Sequence, residues 1–335
     1  ENNNPKLARA LRAAMPAADQ ALADAWLGIA ENPSLTLSAG LLNPNDPRAA
    51  VILSDGLERW GQRNALDAAA ALDTLKTRTP ALTPHLVEVE RRLALWLASD
   101  YPPSALERLA ALPDSVVDRD VAEWRVRVCL RQGNWNAVLS WLDRLPTPER
   151  DSPRWRYWRG RALEMLDRAE DAKLVYRTIA GQRDYHGFLA ADHLGRPYAM
   201  QHRRDTTDQA LLEAVRTLPG IARARELAYI GAGLESRREW LHTTRRLDAR
   251  QQVAAAQLAA QWGWHQLAIM TLAAAQEWDA LDLRFPIVHR SDFDAAARRE
   301  RVDASWLYAI ARQESALDPG VRSPAGALGL MQVMP

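Results

Sequence analysis

The stretch DASWLYAIARQESALDPGVRSPAGALGLMQVMP, residues 303–335, combines a short helix with a glycine-bearing loop. Asp303 has the side chain of a helix N-cap, because its carboxylate can accept hydrogen bonds from the first free backbone N–H groups. Trp306 and Ile310, and after them Gln313 or Glu314, follow at helical spacing, which places the glutamate on the side of the predicted helix that carries the apolar residues. A carboxylate therefore shares a helix side with two large apolar residues.

Glu314 is the candidate catalytic residue of this stretch. Asp318-Pro319-Gly320 predicts the end of the helix about one turn after it. A carboxylate near a helix C-terminus is disfavoured as an anion by the helix dipole, and apolar neighbours add a cost of desolvation. Such a group can stay protonated near neutral pH and act as a general acid. Taken alone, a glutamate at a helix end is more often a surface residue.

The loop SPAGALGLMQVMP, residues 323–335, has a composition that suits ligand binding. Gly326 and Gly329 are three residues apart and permit a tight loop in which the backbone approaches a ligand. Gln332 offers a neutral donor and acceptor for an N-acetyl or hydroxyl group. Each of these features is weak without the others.

The sequence before this stretch predicts an all-α protein. Apolar residues recur at three- and four-residue steps, and runs of alternating β-branched residues are missing. Leu112-Pro113 and Leu145-Pro146 are 33 residues apart, and Trp124 and Trp158 are 34 residues apart. This period is typical of a helix–turn–helix unit in a repeat array, where no unit buries its apolar face alone. We therefore expect an α-superhelix built of helical hairpins.

These patterns divide the chain into three parts. The hairpin pattern predicts an α-superhelical domain over residues 1–204. Residues 205–288 keep the helical period but lose the repeat, and Pro286 stops their last helix, so we expect a helical linker domain there. Residues 289–335 carry the candidate site.

Composition excludes several classes of function. The formal net charge is +1, and short basic groups such as Arg245-Arg246 have acidic residues close by, so a nucleic-acid partner is not indicated. No apolar run is long enough to cross a bilayer. The seven histidines show no metal-ligand spacing and no phosphate-loop motif occurs, so we expect neither a metal nor a cofactor. The single cysteine, Cys129, is predicted to be a small buried residue.

Arg-Gln-Glu-Ser at 312–315, followed by the pattern S-P-x-G-A-x-G-L-M-Q-x-M-P at 323–335, resembles the signature of the soluble lytic transglycosylases. Residues 154–159 are similar to the end of that family's superhelical domain, and residues 278–286 resemble its linker domain. The resemblance implies a superhelix curved into a U or ring, a small helical linker, and the start of a lysozyme-like (goose-type) catalytic domain.

In this family a single glutamate carries the reaction, and Glu314 occupies the matching position. The resemblance implies that Glu314 protonates the glycosidic oxygen between N-acetylmuramic acid and N-acetylglucosamine of peptidoglycan. The ionised carboxylate then takes the proton of the muramyl O6, which closes on C1 to give a 1,6-anhydro product. Ser323, Gln332 and Met334 match positions that line the sugar-binding groove in relatives. The implied location is the periplasm of a Gram-negative bacterium.

The family's catalytic domain continues past the G-L-M-Q motif, with a later Tyr- and Asn-bearing segment that contacts the substrate. That segment is not among the 335 residues, so the resemblance implies a catalytic domain cut short at Pro335. We expect these residues alone to have little or no lytic activity. The superhelix is expected to add binding, since in relatives it can guide glycan strands or engage other cell-wall enzymes.

Two other functions compete with this one. Helical-repeat proteins commonly bind other proteins on a concave face, so the chain can be a scaffold. A peptidoglycan-binding protein without catalysis is the third hypothesis. The combination of Glu314 with the G-L-M-Q motif discriminates between them, since a scaffold needs neither. Thirteen tryptophans also suggest sugar stacking, but those within the repeat are expected to be core residues, whereas Trp306 is left open between the two roles. The tryptophans of the repeat are Trp124, Trp135, Trp141, Trp155 and Trp158.

Overall fold

The structure, a computed structural model, describes residues 5–38, 42–203 and 208–335. These residues form twenty α-helices, three short 3-10 helices and two isolated β-bridges, without a strand. The chain forms two compact units, Glu1–Ala199 and Met200–Pro335. The predicted all-α fold class is confirmed.

The first unit is built of helices that pack against their neighbours along the chain. Its α-helices within the described ranges are α1 (Pro5–Arg12), α2 (Ala17–Glu31), α3 (Pro47–Gly61), α4 (Ala65–Arg78), α5 (Val87–Ser99), α6 (Ala105–Ala111), α7 (Arg119–Gln132), α8 (Trp135–Asp143), α9 (Thr147–Arg150), α10 (Pro153–Glu164), α11 (Ala169–Arg177) and α12 (Tyr185–His193). The 3-10 helices are Pro33–Leu37, Pro80–His85 and Asp114–Val116. The most extensive pairings are α10 with α11, α3 with α4, and α7 with α8. These pairs are the helical hairpins that the repeat predicts.

The sequence repeat corresponds to equivalent buried positions. Leu145 and Ile179 are 34 residues apart, each lies two residues beyond the second helix of a pair, and both are buried. Trp124 of α7 and Trp158 of α10 are half-buried against clusters to which consecutive hairpins contribute. Each hairpin thus completes the core of the next, which explains why the period matches the length of a hairpin.

The tryptophans of the repeat are core residues, as predicted. Trp155 is 2% exposed, and the other four are half-buried. The guanidinium groups of Arg125 and Arg144 both lie 4.7 Å from the ring centre of Trp141. Cys129 is fully buried in the same cluster as Trp155, which confirms its predicted role as a small apolar residue.

The second unit contains two helix pairs around a tryptophan. Its helices within residues 208–335 are α13 (Gln209–Arg216), α14 (Pro219–Tyr229), α15 (Gly233–Thr244), α16 (Ala249–Gln261), α17 (His265–Ala274), α18 (Leu281–Arg284), α19 (Arg290–Glu300) and α20 (Ala304–Ser315). Helix α14 packs on α15, and α16 packs on α17. Trp240 is fully buried between them and meets Trp262 and Trp264 edge to face. Its indole Nε1 donates a hydrogen bond to Thr271 Oγ1 at 3.0 Å.

A smaller core lies at the end of the chain. Phe293 of α19 packs with Ala311 and Leu317, and its ring centre lies 4.5 Å from that of Tyr308. The predicted boundary between residues 204 and 205 falls outside the described residues. The boundary between residues 288 and 289 stays a prediction.

Candidate active site

Helix α20 carries the candidate acid in its last turn. The helix begins at Ala304 with Asp303 as its N-cap, whose Oδ1 accepts a hydrogen bond from the Ser305 backbone N–H at 2.8 Å. The Ser305 hydroxyl donates to the same oxygen at 2.6 Å. The hydrogen bond from the Ser305 hydroxyl lowers the pKa of Asp303, and the one from the Ser305 backbone N–H adds a smaller effect in the same direction. The predicted N-cap is confirmed, and it fixes where the helix starts.

The side chain of Glu314 is exposed, and no described residue makes a hydrogen bond or ion pair with it. Trp306 is 70% exposed and Ile310 is 41% exposed, so this side of α20 is apolar and open. Ala311 and Ser315 on the other side are buried. The sequence therefore places Glu314 beside apolar residues, but the described residues do not supply the desolvation that we expected around it.

The end of α20 differs from the prediction. The helix ends at Ser315, and Ala316 and Leu317 have positive φ angles of 51° and 65°. That end precedes Asp318-Pro319-Gly320. The left-handed conformation costs roughly 1–2 kcal/mol for each non-glycine residue. Burial of Leu317, which is 3% exposed beside Phe293, is worth about 1.5–3 kcal/mol and offsets part of that cost. The burial of Leu317 thus accompanies the end of the helix, which comes before Pro319 is reached.

The loop after α20 is closed by backbone hydrogen bonds. Leu328 and Val333 exchange two of them, at 3.0 and 3.2 Å, and the Gly329 N–H donates to Val321 O at 3.0 Å. Gly326 and Gly329 have φ angles of 95° and 70°, a region that glycine enters at little cost. The two glycines thus permit the tight loop that the sequence predicts.

Ser323 and Gln332 stabilise this loop. Ser323 Oγ accepts a hydrogen bond from the Ala327 N–H at 3.0 Å. Gln332 Nε2 donates to Val321 O at 3.2 Å and to Gly329 O at 2.9 Å. Both acceptors are carbonyl oxygens, so the orientation of the amide follows from its partners. Its Oε1 accepts no hydrogen bond from a described residue and can accept one from a ligand.

Met334 lies exposed at the end of the loop, 58% accessible. The structure thus brings Ser323 and Gln332 into one loop, with Met334 directly after it. The assignment of catalysis to Glu314 and of substrate binding to the other three residues stays a prediction.

Two hydrogen bonds that the sequence did not reveal anchor α20 to helices before it. Arg312 Nε donates to the backbone oxygen of Arg284 at 2.8 Å, and Gln266 Nε2 donates to that of Ser315 at 3.2 Å. Burial lowers the pKa of Arg312, and the positive charge of the nearby Arg284 lowers it further. The partners are 28 and 49 residues apart, and no spacing rule connects them.

Two further findings concern residues 5–38, 42–203 and 208–335 only. No group of three or more His, Cys, Asp and Glu side chains there is arranged to hold a metal ion. No helix in those ranges combines the length and the apolar character that a bilayer crossing requires.

Two family models match residues of the second unit, and known proteins match nearly the whole chain. A family model described as "Soluble lytic murein transglycosylase L domain" matches residues 214–281. Another, described as "Transglycosylase SLT domain", matches residues 291–335, which contain α20 and the loop after it. The soluble lytic murein transglycosylase of Escherichia coli (strain K12) is 29% identical over 342 residues, which are 99% of this chain and 51% of that protein. A solved structure of lytic transglycosylase Slt from Pseudomonas aeruginosa has 33% identity and a TM-score of 0.85, covering 98% of this chain and 54% of that one.

The chain belongs to the soluble lytic transglycosylase family. A second solved member, the 70-kDa soluble lytic transglycosylase from Escherichia coli, has 29% identity and a TM-score of 0.80, covering 99% of this chain and 54% of that one. The 335-residue chain spans about half the length of the relatives that it matches. Membership accounts for the all-α fold and for the transglycosylase segment at residues 291–335.

Proposed function

We propose that the protein to which this chain belongs is a peptidoglycan lytic transglycosylase, and that Glu314 is both its acid and its base. The substrate is the β-1,4 bond between N-acetylmuramic acid and N-acetylglucosamine. We place the reaction in the periplasm of a Gram-negative bacterium, where that polymer lies.

The reaction needs one carboxyl group in two protonation states. Protonated Glu314 donates its proton to the glycosidic oxygen as the bond from that oxygen to C1 of the muramyl residue breaks. The carboxylate then removes the proton of the muramyl O6, and O6 forms a new bond to C1. The proton balance closes on the same residue and no water is consumed. A second carboxylate, as in common glycosidases, is therefore not required.

The observation that carries this proposal is the placement of Glu314. It lies in the last turn of α20, within the segment that matches the transglycosylase model, and no described residue neutralises it. The solved structure of the Pseudomonas aeruginosa relative is that of an inactive variant with glutamine in place of one glutamate, which supports an essential glutamate in this family.

The loop supplies groups that suit an N-acetylated sugar. Gln332 Oε1 is an open acceptor for an amide N–H, and the Ser323 hydroxyl can donate while its oxygen accepts from Ala327. The exposed side chains of Trp306 and Met334 offer apolar surface to the face of a sugar ring. We propose that these residues bind the glycan on the side of α20 that carries Glu314.

We expect the 335 residues alone to have little or no lytic activity. The face of α20 with Trp306, Ile310 and Glu314 is open, so the described residues leave one side of a groove unbuilt. A transition state that develops charge is stabilised far better in a site that excludes water. The longest expressible form of the protein is therefore the one to assay.

The test measures muropeptides released from purified sacculi by mass spectrometry. Glu314→Gln should lower the release of 1,6-anhydro products by about 10²–10⁴-fold, the usual contribution of a general acid or base. Glu300→Gln is the matched control, because Glu300 is also exposed at the end of a helix, α19. Full activity of Glu314→Gln, or products with free reducing ends, would refute the proposal.

A further inference from the structure

Two hydrogen bonds in series hold the last turn of α20. Arg237 Nη1 of α15 donates to Gln266 Oε1 of α17 at 2.5 Å. Gln266 Nε2 donates to the backbone oxygen of Ser315 at 3.2 Å. The amide lies between a guanidinium that can only donate and a carbonyl that can only accept, so it has a single orientation. Ser315 directly follows Glu314, so this series of bonds ends at the residue next to the acid.

The carbonyl that Gln266 reaches is one that the helix end leaves free. The last four carbonyl groups of an α-helix have no partner within the helix. Ser315 O also accepts from the Asp318 N–H at 3.2 Å, but this bond stays within the same turn. The bond from Gln266 comes from another helix. It therefore fixes the last turn of α20 relative to α17.

A second bond limits the rotation of α20 about its axis. Arg312 Nε donates to Arg284 O at 2.8 Å, one turn before the contact at Ser315. Residues three apart lie on the same side of a helix, so Arg312 and Ser315 face the preceding helices together. Glu314 lies on a different side. Two fixed points along one side determine the direction in which the opposite side points.

A cavity of about 250 Å³ lies beside Gln266, lined among others by Arg237, Gln266 and Asp318. Arg237 forms no ion pair with a described residue, and its Nη2 contacts Met270 Sδ at 3.5 Å. Its directional bonds thus orient Gln266 and connect α15 with α17.

We propose that Gln266 and Arg237 are positioning residues for Glu314. They act through the Ser315 carbonyl and hold the carboxyl group at the angle that proton transfer requires. The inference rests on the proposed function, because it assumes that Glu314 is the acid. Gln266 and Arg237 belong to α17 and α15, and their hydrogen bonds reach α20 at the Ser315 carbonyl, away from its open side. They should therefore affect the rate of the chemical step rather than the binding of the glycan.

The size of the effect follows from the remaining anchor. A displacement of a catalytic group by about 1 Å can lower a rate by about 10²-fold. The Arg312 bond remains when Gln266 is replaced, so we expect a smaller loss, of about tenfold in kcat. KM should stay within about twofold of the wild-type value, because no sugar contact is removed.

The experiment uses the longest expressible form of the protein and soluble glycan strands as substrate. Gln266→Leu removes both hydrogen bonds, while Gln266→Glu keeps the size and the acceptor for Arg237 but cannot donate when ionised. Gln261→Leu is the matched control, since Gln261 is an exposed glutamine at the end of α16. Arg237→Met and Arg237→Lys form a second pair, because only lysine can still donate to Gln266. Hydrogen exchange of residues 311–318 reports the order of the last turn without catalysis.

The inference is supported when both Gln266 variants and Arg237→Met lower kcat about tenfold, speed exchange at residues 311–318, and leave KM unchanged. Arg237→Lys should recover most of the rate, and Gln261→Leu should match the wild type. An unchanged kcat in Gln266→Glu, equal losses in the two Arg237 variants, or a rise of KM alone overturns it. These outcomes are interpreted only if the wild type forms 1,6-anhydro products that Glu314→Gln abolishes. If it does not, the proposed function fails first, and this inference fails with it.

Discussion

The buried hydrogen bond between Trp240 and Thr271 allows a test of how α15 and α17 are held together. It joins α15 to α17, the helices that carry Arg237 and Gln266. Trp240 is fully buried and Thr271 is 2% exposed, so neither partner can turn to water. Trp240→Phe removes the indole N–H and leaves the threonine hydroxyl without its donor.

The expected cost has two parts. An unsatisfied buried hydroxyl costs about 1–3 kcal/mol. The smaller ring loses about two carbon groups of burial, at about 0.8 kcal/mol each, so Trp240→Phe should cost about 2.5–4.5 kcal/mol. Thr271→Val keeps the volume but leaves the indole N–H unpaired, at about 1–3 kcal/mol. With both changes no polar group is left unpaired, and the cost should fall to the packing loss alone, about 1.5 kcal/mol.

The assay is urea-dependent hydrogen exchange of peptides from α15 and α17, which reports the unfolding free energy of this part of the chain. We expect a coupling of at least about 1 kcal/mol between the two substitutions. Costs that add to within about 0.5 kcal/mol would show that the bond contributes no stability and that the reasoning is wrong.

Three further predictions concern buried ionisable groups. Burial raises the pKa of Cys129 to about 11, so its thiol should react with a disulfide reagent only in urea, and rapid native labelling would contradict this. Burial, and then His289, lower the pKa of His265 below its usual 6.5, so the folded state binds this proton less tightly than the unfolded state. The urea midpoint of unfolding should therefore fall as the pH drops below about 6.5, and His265→Gln should weaken this pH dependence. Equal pH profiles of the urea midpoint in the wild type and in His265→Gln would refute the prediction. Glu123 is 5% exposed and accepts from Arg127 at 2.7 Å, so Glu123→Gln should lower the unfolding free energy by about 1.5–3 kcal/mol, and an unchanged urea midpoint would contradict the ion pair's contribution.

Local patterns gave reliable predictions where a single helix or hairpin sets the outcome. The 34-residue step from Leu145 to Ile179 marks equivalent buried positions after consecutive hairpins. Asp303 caps α20 because a carboxylate at that position satisfies nearby N–H groups without help from distant residues. Cys129 is buried because it lies on the apolar side of α7.

The predictions that assumed particular neighbours were less reliable. The end of α20 depends on Leu317 entering the core with Phe293, and the sequence pattern pointed to proline and glycine instead. The desolvation expected for Glu314 assumed that the apolar residues on its side of the helix would surround it, yet Trp306 is 70% exposed and Ile310 is 41% exposed. Periodicity gives the side of a helix on which a residue lies but not what covers that side.

By itself, the sequence determined that the protein is helical, that hairpins repeat along its first part, and that Glu314 lies at the end of a helix before a tight glycine loop. Each of these follows from interactions within a few residues or from the length of one repeat. Only the tertiary structure decided where α20 ends and how it is anchored. The contacts of Gln266 and Arg312 span 49 and 28 residues, and bringing such partners together depends on packing of the whole second unit. Hydrogen bonds of that range leave no periodic trace in the sequence.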